Sequence, residues 1–164
     1  MNLLDYTTTW IKGEVLQGKI MLAIGVIMLV GAIAIFISDN TLLRGTLIPM
    51  GLILLIFFGY GGFQTFNRPT HIKKVTELFQ ENPAQAVEQE IAKAEKDHRN
   101  YSTLEVVWVV LIVLAAILYV FVSTDYFKGL SIGLIALFLT TLTVDSILHF
   151  RLKIYLEQLE KLIT

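Results

Sequence analysis

Four stretches of the chain, Ile20 to Ser38, Gly45 to Asn67, Val106 to Thr124 and Gly129 to Val144, contain no Lys, Arg, Asp or Glu. A hydrocarbon core about 30 Å thick takes about 20 helical residues to cross. The first three stretches suffice alone, and the fourth has to continue through Asp145 towards His149. The spacing predicts transmembrane helices over about 20–38, 45–65, 104–124 and 128–148. Composition agrees: 55% of residues are hydrophobic and only 16% are charged, against about 25% charged in a soluble domain. With 164 residues and four crossings there is no room for a separate soluble domain, so residues 1–164 read as a single membrane domain. The expected fold is all-α, a polytopic four-helix bundle with a short helical cytoplasmic extension.

The first apolar run is longer than the roughly 7–15 residues of a signal-peptide core, and Asp5 and Glu14 offset Lys12 and Lys19 before it. It therefore reads as a retained span. Of the 13 Lys and Arg residues, only Arg44 and Lys128 fall in the two short turns on one side of the zigzag. Short basic loops resist translocation, which predicts cytoplasmic N- and C-termini in a bacterial inner or other cell membrane. The net charge of −1 gives no basic field for nucleic acid. The absence of cysteine excludes disulfides, thiolate metal sites and a cysteine nucleophile.

The polar stretches have helical periodicity. Residues Leu3 to Leu16 alternate apolar and polar side chains, as expected of a short segment lying at the membrane interface. Ile72, Val75, Leu78 and Phe79 predict an amphipathic helix over about 69–80, opened by Pro69 with Asn67 as its cap. From Ala84 through Val87, Ile91, Ala94, His98, Tyr101, Glu105, Trp108, Ile112 and Ala115 to Tyr119, steps of three and four run on with no glycine or proline. One continuous helix from Pro83 to Ser123 is expected, its 83–103 half outside the membrane. Leu152, Leu156, Leu159 and Ile163 mark a last helix over about 150–163. It needs a partner, and a three-helix cytoplasmic cluster with 69–80 and 83–103 is the simplest one. Gly129 and Gly133, extended by Ala136, form a close-packing face for a neighbour in the same or another subunit. Gly59, Gly61 and Gly62 make the second span flexible or close-packed at its inner end. A weak echo of Arg44-Gly45 in Lys128-Gly129 hints at a duplicated hairpin.

No catalytic, nucleotide-binding or metal-binding motif stands out, so neither an enzyme nor a cofactor or metal is expected. Glu105 and Asp145 fall near the inner edge of the hydrocarbon, where a charge is costly and finds a partner or a wet cavity. Asp145 has His149 one helical turn on, and Arg68, Arg151 and Gln64 reach similar depth. This defines a candidate intramembrane polar site of Glu105, Asp145, His149, Arg68 and Gln64. As a structural cluster it holds helix ends in register; as a functional one it binds a proton or cation. The expected function is a non-enzymatic interaction or accessory subunit acting through helix packing, in contact with the lipid bilayer and with itself or another membrane protein. The alternative is a homo-oligomeric ion or proton channel or transporter using Glu105 and Asp145.

Overall fold

The computed structural model describes residues 2–162. Six helices follow one another: α1 (Leu3–Phe36), α2 (Thr41–Gly45), α3 (Leu47–Phe66), α4 (Pro69–Glu81), α5 (Pro83–Phe121) and α6 (Asp125–Glu160). Among the described residues there is no strand, and α1, α3 with α4, α5 and α6 each hold a stretch long and apolar enough to cross a membrane. The fold is thus all-α with four candidate spans. One end of the bundle carries the termini and α4, and is called the polar end here; the other carries the two turns.

Local sequence sets the boundaries. Asn2 and Asp5 form a reciprocal capping box at the start of α1, each accepting a backbone N–H at 3.1 Å. Asn40 caps α2 and Asn82 caps α5, where Pro83 takes the first-turn position whose N–H has no helical partner. At α4 the cap position falls to Arg68, not Asn67, and its side chain makes no capping bond.

Two long helices, α1 and α6, replace shorter expected ones. The segment before the first span does not lie along the interface. It is the first half of α1, because Leu3, Thr7, Trp10, Glu14, Gln17 and Met21 are buried at steps of four and three that run straight into the span. Likewise α6 continues past Leu148 and His149 without the expected break, carrying its buried stripe through Leu152, Tyr155 and Leu159. Ile163, expected in that stripe, lies outside the described residues. Helix α5 is continuous as the periodicity requires, although Ala84 and Tyr119 are exposed and Glu90 is buried where Ile91 was expected. The polar end consequently has four helical contributors instead of three: Leu3, Trp10 and Ile11 of α1 pack with Val75 of α4, Ala86, Val87 and Ala94 of α5, and Leu152, Tyr155 and Leu159 of α6.

Among the spans, α1 packs along α3 and α5 along α6, with α6 also touching α1 and α3; α3 and α5 barely approach each other. Glycines set the close crossings. A Cβ on Gly18 would stand 2.7 Å from the Gly61 carbonyl oxygen, and one on Gly129 would stand 1.8 Å from that of Leu42. The Gly129/Gly133 face is therefore used within the chain, against α2 and the start of α3, while Ala136 stays exposed. Gly61 is the close-packed member of its trio; Gly59 and Gly62 face open space.

Replacing Gly129 with Ala is expected to destabilise the protein by about 1–3 kcal/mol or more, since the added methyl meets backbone that cannot rotate away. Gly62→Ala serves as the control. A thermal melt in detergent that lowers the midpoint for the first variant and leaves the second unchanged is the predicted outcome.

Candidate functional site

Because α3 and α5 barely meet, an open cleft of about 560 Å³ lies between them with α6 as its back wall. Its deeper part is lined by Ile53, Phe57, Leu104 and Trp108; towards the polar end it is lined by Arg68, Asp97 and Asn100. Tyr60 of α3 and Tyr101 of α5 bring their hydroxyls within 3.4 Å of each other, which among the described residues is the one polar link between those helices. Thr141 also lines the cleft but bonds its hydroxyl to the Leu137 and Phe138 carbonyls of its own helix.

The expected polar site divides into separate pairings. Asp145 lines the cleft and accepts a 2.6 Å hydrogen bond from the Trp108 indole N–H. His149 sits on α6 one turn beyond Asp145 and faces the same helix, α5, but pairs with other residues of it. Its Nδ1 lies 3.0 Å from Glu105 Oε1 and its Nε2 lies 2.7 Å from His98 Nδ1. With Nδ1–H donating to the carboxylate, Nε2 accepts and His98 Nδ1–H donates, giving one directed chain from Glu105 to His98. Both ring nitrogens of His149 are thereby engaged. Arg68 lines the cleft but is bound to Glu14, its Nε 2.5 Å from Oε2 and its Nη2 donating to Oε1 at 3.1 Å. Arg151 donates instead to the Gly13 carbonyl. Gln64 belongs elsewhere. It is 0% exposed, packs beside Gly18 of α1 and makes no hydrogen bond of good geometry among the described residues. Glu105 pairs with His149 and stands near enough to Asp145 for the two carboxylates to act on each other, while Asp145 shares the cleft lining with Arg68.

Several residues were not singled out from the sequence. Glu14 is 1% exposed, deep in the contact between α1 and the α3–α4 corner. Its signal was available: it falls on the same three-and-four stripe as Trp10 and Met21. Glu90 accepts from the Tyr155 hydroxyl at 2.9 Å and lies 3.1 Å from His71 Nε2. Trp10 stacks on Tyr155 with ring centroids 4.6 Å apart, and Arg68 and Lys93 both stand over its ring. These partners come from four helices, so no local spacing reveals them.

Electrostatics distinguish the two buried carboxylates. Burial pushes the Glu14 carboxyl above its ordinary value, and the Arg68 guanidinium only partly offsets this. Burial acts on Glu90 in the same sense, but the hydrogen bond from His71, the Lys93 charge and the Tyr155 hydroxyl outweigh it and hold the carboxyl below its ordinary value. Burial, aided by the Glu90 charge, pushes the Tyr155 phenol up, so it keeps the proton it donates.

The arrangement offers a laterally open, amphipathic recess and a short hydrogen-bonded chain beside it. Among the described residues no three of His, Cys, Asp and Glu converge in a way that would hold a metal ion. No known protein family matches the chain, and neither a curated protein nor a solved structure matches it.

Breaking the buried ion pair with Glu14→Gln leaves Arg68 without its anion and is expected to cost about 3 kcal/mol. A double replacement, Glu14→Leu with Arg68→Met, is expected to recover most of that in the same melt. The pH response follows from Glu90: its folded-state pKa is depressed, so its contribution is present above the ordinary value of 4.5 and is lost as pH falls through the folded value. Melting midpoints measured downward from neutral pH should fall more steeply in the wild type than in Glu90→Gln.

Proposed function

We propose that this chain is a non-enzymatic interaction protein of a cell membrane, which works by admitting a bilayer-embedded partner sideways into the cleft between α3 and α5. The observation that carries this is how little those two helices touch, with the Tyr60–Tyr101 hydroxyl pair as their polar link. Lipid tails are as apolar as leucine, so nothing but specific packing draws spanning helices together, and here α5 is held through α6 while its far side stays open. The basic residues around the polar end support a cytoplasmic placement of that end and of both termini, as in a bacterial inner membrane. The cleft mouth then opens at the inner leaflet.

Protein purified in mild detergent is expected to retain a lipid or protein partner that Leu104→Trp, at the cleft, displaces. Val120→Trp, on the exposed turn-end face of the same helix, should leave it bound. Retention of nothing, or equal loss in both variants, contradicts the proposal.

A second reading has one specific observation behind it. The chain Glu105, His149, His98 forms a route along which a proton could pass between the membrane edge and the polar end. As a channel or transporter the protein would need a path through the apolar turn-side half, supplied by other subunits. Liposomes holding the protein and a pH-sensitive dye are expected to show no proton flux; flux that disappears in Glu105→Gln would favour this second reading.

A further inference from the structure

We infer that the occupant of the α3–α5 cleft is a single inner-leaflet phospholipid with a zwitterionic, primary-amine headgroup of the phosphatidylethanolamine kind; this rests on the cleft reading above and names its ligand. Size comes first. The cleft holds about 560 Å³, within the 300–1,000 Å³ typical of small-ligand sites. A partner helix roughly 10 Å across, inserted through half of the hydrocarbon, would need upwards of 1,000 Å³. The cleft has room for about one acyl chain between Ile53, Phe57 and Leu104, so the second chain of the lipid stays in the surrounding bilayer through the open side.

The polarity gradient then matches a lipid in orientation. The apolar lining lies on the membrane side, and Arg68, Asp97 and Asn100 lie on the polar side. Glu14 occupies the Nε and Nη2 edge of the Arg68 guanidinium, which leaves Nη1 with no hydrogen bond among the described residues. That donor suits a phosphate oxygen. Asp97 is half-buried and makes no hydrogen bond or close ion pair among the described residues, although the Lys93 charge one turn back acts on it, and Asn100 stands one turn further along the same helix. A carboxylate and an amide carbonyl accept from the N–H groups of a primary ammonium; a quaternary ammonium has none to offer.

Charge excludes the main competitor. The charged residues lining the cleft are Arg68, Asp97 and Asp145; with Glu14 and Lys93, which act on them from just behind, two cations stand against three carboxylates. An anionic phosphatidylglycerol headgroup would meet net negative surroundings, whereas a headgroup carrying its own ammonium brings the missing charge.

The test uses full-length protein reconstituted into vesicles of equal phosphatidylethanolamine, phosphatidylcholine and phosphatidylglycerol, re-extracted in mild detergent, with the retained lipid identified by mass spectrometry. The wild type should enrich phosphatidylethanolamine about tenfold over each of the others, the scale of one charge-assisted hydrogen bond. Asp97→Asn should bring it down to the phosphatidylcholine level while some lipid stays bound, and Leu104→Trp should remove all three. Any other ranking of lipids that still responds to Leu104→Trp overturns the headgroup assignment and leaves the cleft reading standing. Lipid retention indifferent to Leu104→Trp overturns both. A co-purifying protein displaced by Leu104→Trp, with no lipid retained, overturns the lipid and assigns the cleft to a protein partner. Unaltered melting midpoints of the two variants exclude misfolding as the cause of any loss.

Discussion

The absence of water around the spans is the constraint from which the rest of this structure follows. Backbone groups in hydrocarbon have to bond within their own segment, so each crossing is a helix whatever its side-chain order. Association of those helices then cannot rely on burying apolar surface. It relies on close backbone approach at the turn end, where Gly45 and Gly129 meet, and on polar pairings nearer the polar end, where Glu14 reaches Arg68 and His149 reaches Glu105. Outside the hydrocarbon the ordinary hydrophobic core returns, built around Trp10, Tyr155 and Leu159. Between the spanning parts of α3 and α5, where among the described residues only the Tyr60–Tyr101 hydroxyl pair links the two helices, the cleft remains.

The hairpin pairs share a plan. In each, a long helix rises from the polar end, turns, and hands over to a helix that returns with a polar-end continuation: α1 to α3 and α4, then α5 to α6. Positions matched in the sequence echo, Gly45 and Gly129, lie against each other in space. The two pairs differ at the return. Pro69 follows α3 and breaks it from α4, whereas α6 has no proline and runs through. That difference sets Arg68 at a corner, free to face both Glu14 and the cleft.

How legible this was depended on the range of the interaction. Uncharged length predicted the four spans, and unbroken periodicity predicted the continuity of α5, because both are properties of one segment. The same periodicity runs through Thr7, Trp10, Glu14 and Gln17, so the straight α1 and the burial of Glu14 were readable in principle; the polar residues on that stripe masked it as an interface segment. Depth placed Glu105, Asp145 and Arg68 near one level, yet their partners were decided by helix rotation and by which helices are neighbours. Asp145 found Trp108 on α5 instead of His149 on its own helix, and Arg68 found Glu14 some 54 positions earlier in the chain. The cleft itself lies where two helices barely touch, and no residue of either helix encodes it alone.

An account in which α5 is tied to the bundle through α6, leaving its α3 side open to the bilayer, is most directly tested by a distance. The chain has no cysteine, so spin labels can be placed singly at Leu55 of α3 and Val113 of α5, both on exposed faces, and their separation read by pulsed electron resonance in lipid nanodiscs. The account predicts one distribution centred on the separation of these two sites in the open bundle, unchanged when the labelled protein is diluted with unlabelled chain. A dominant shorter distance, with α3 and α5 packed together, would contradict it.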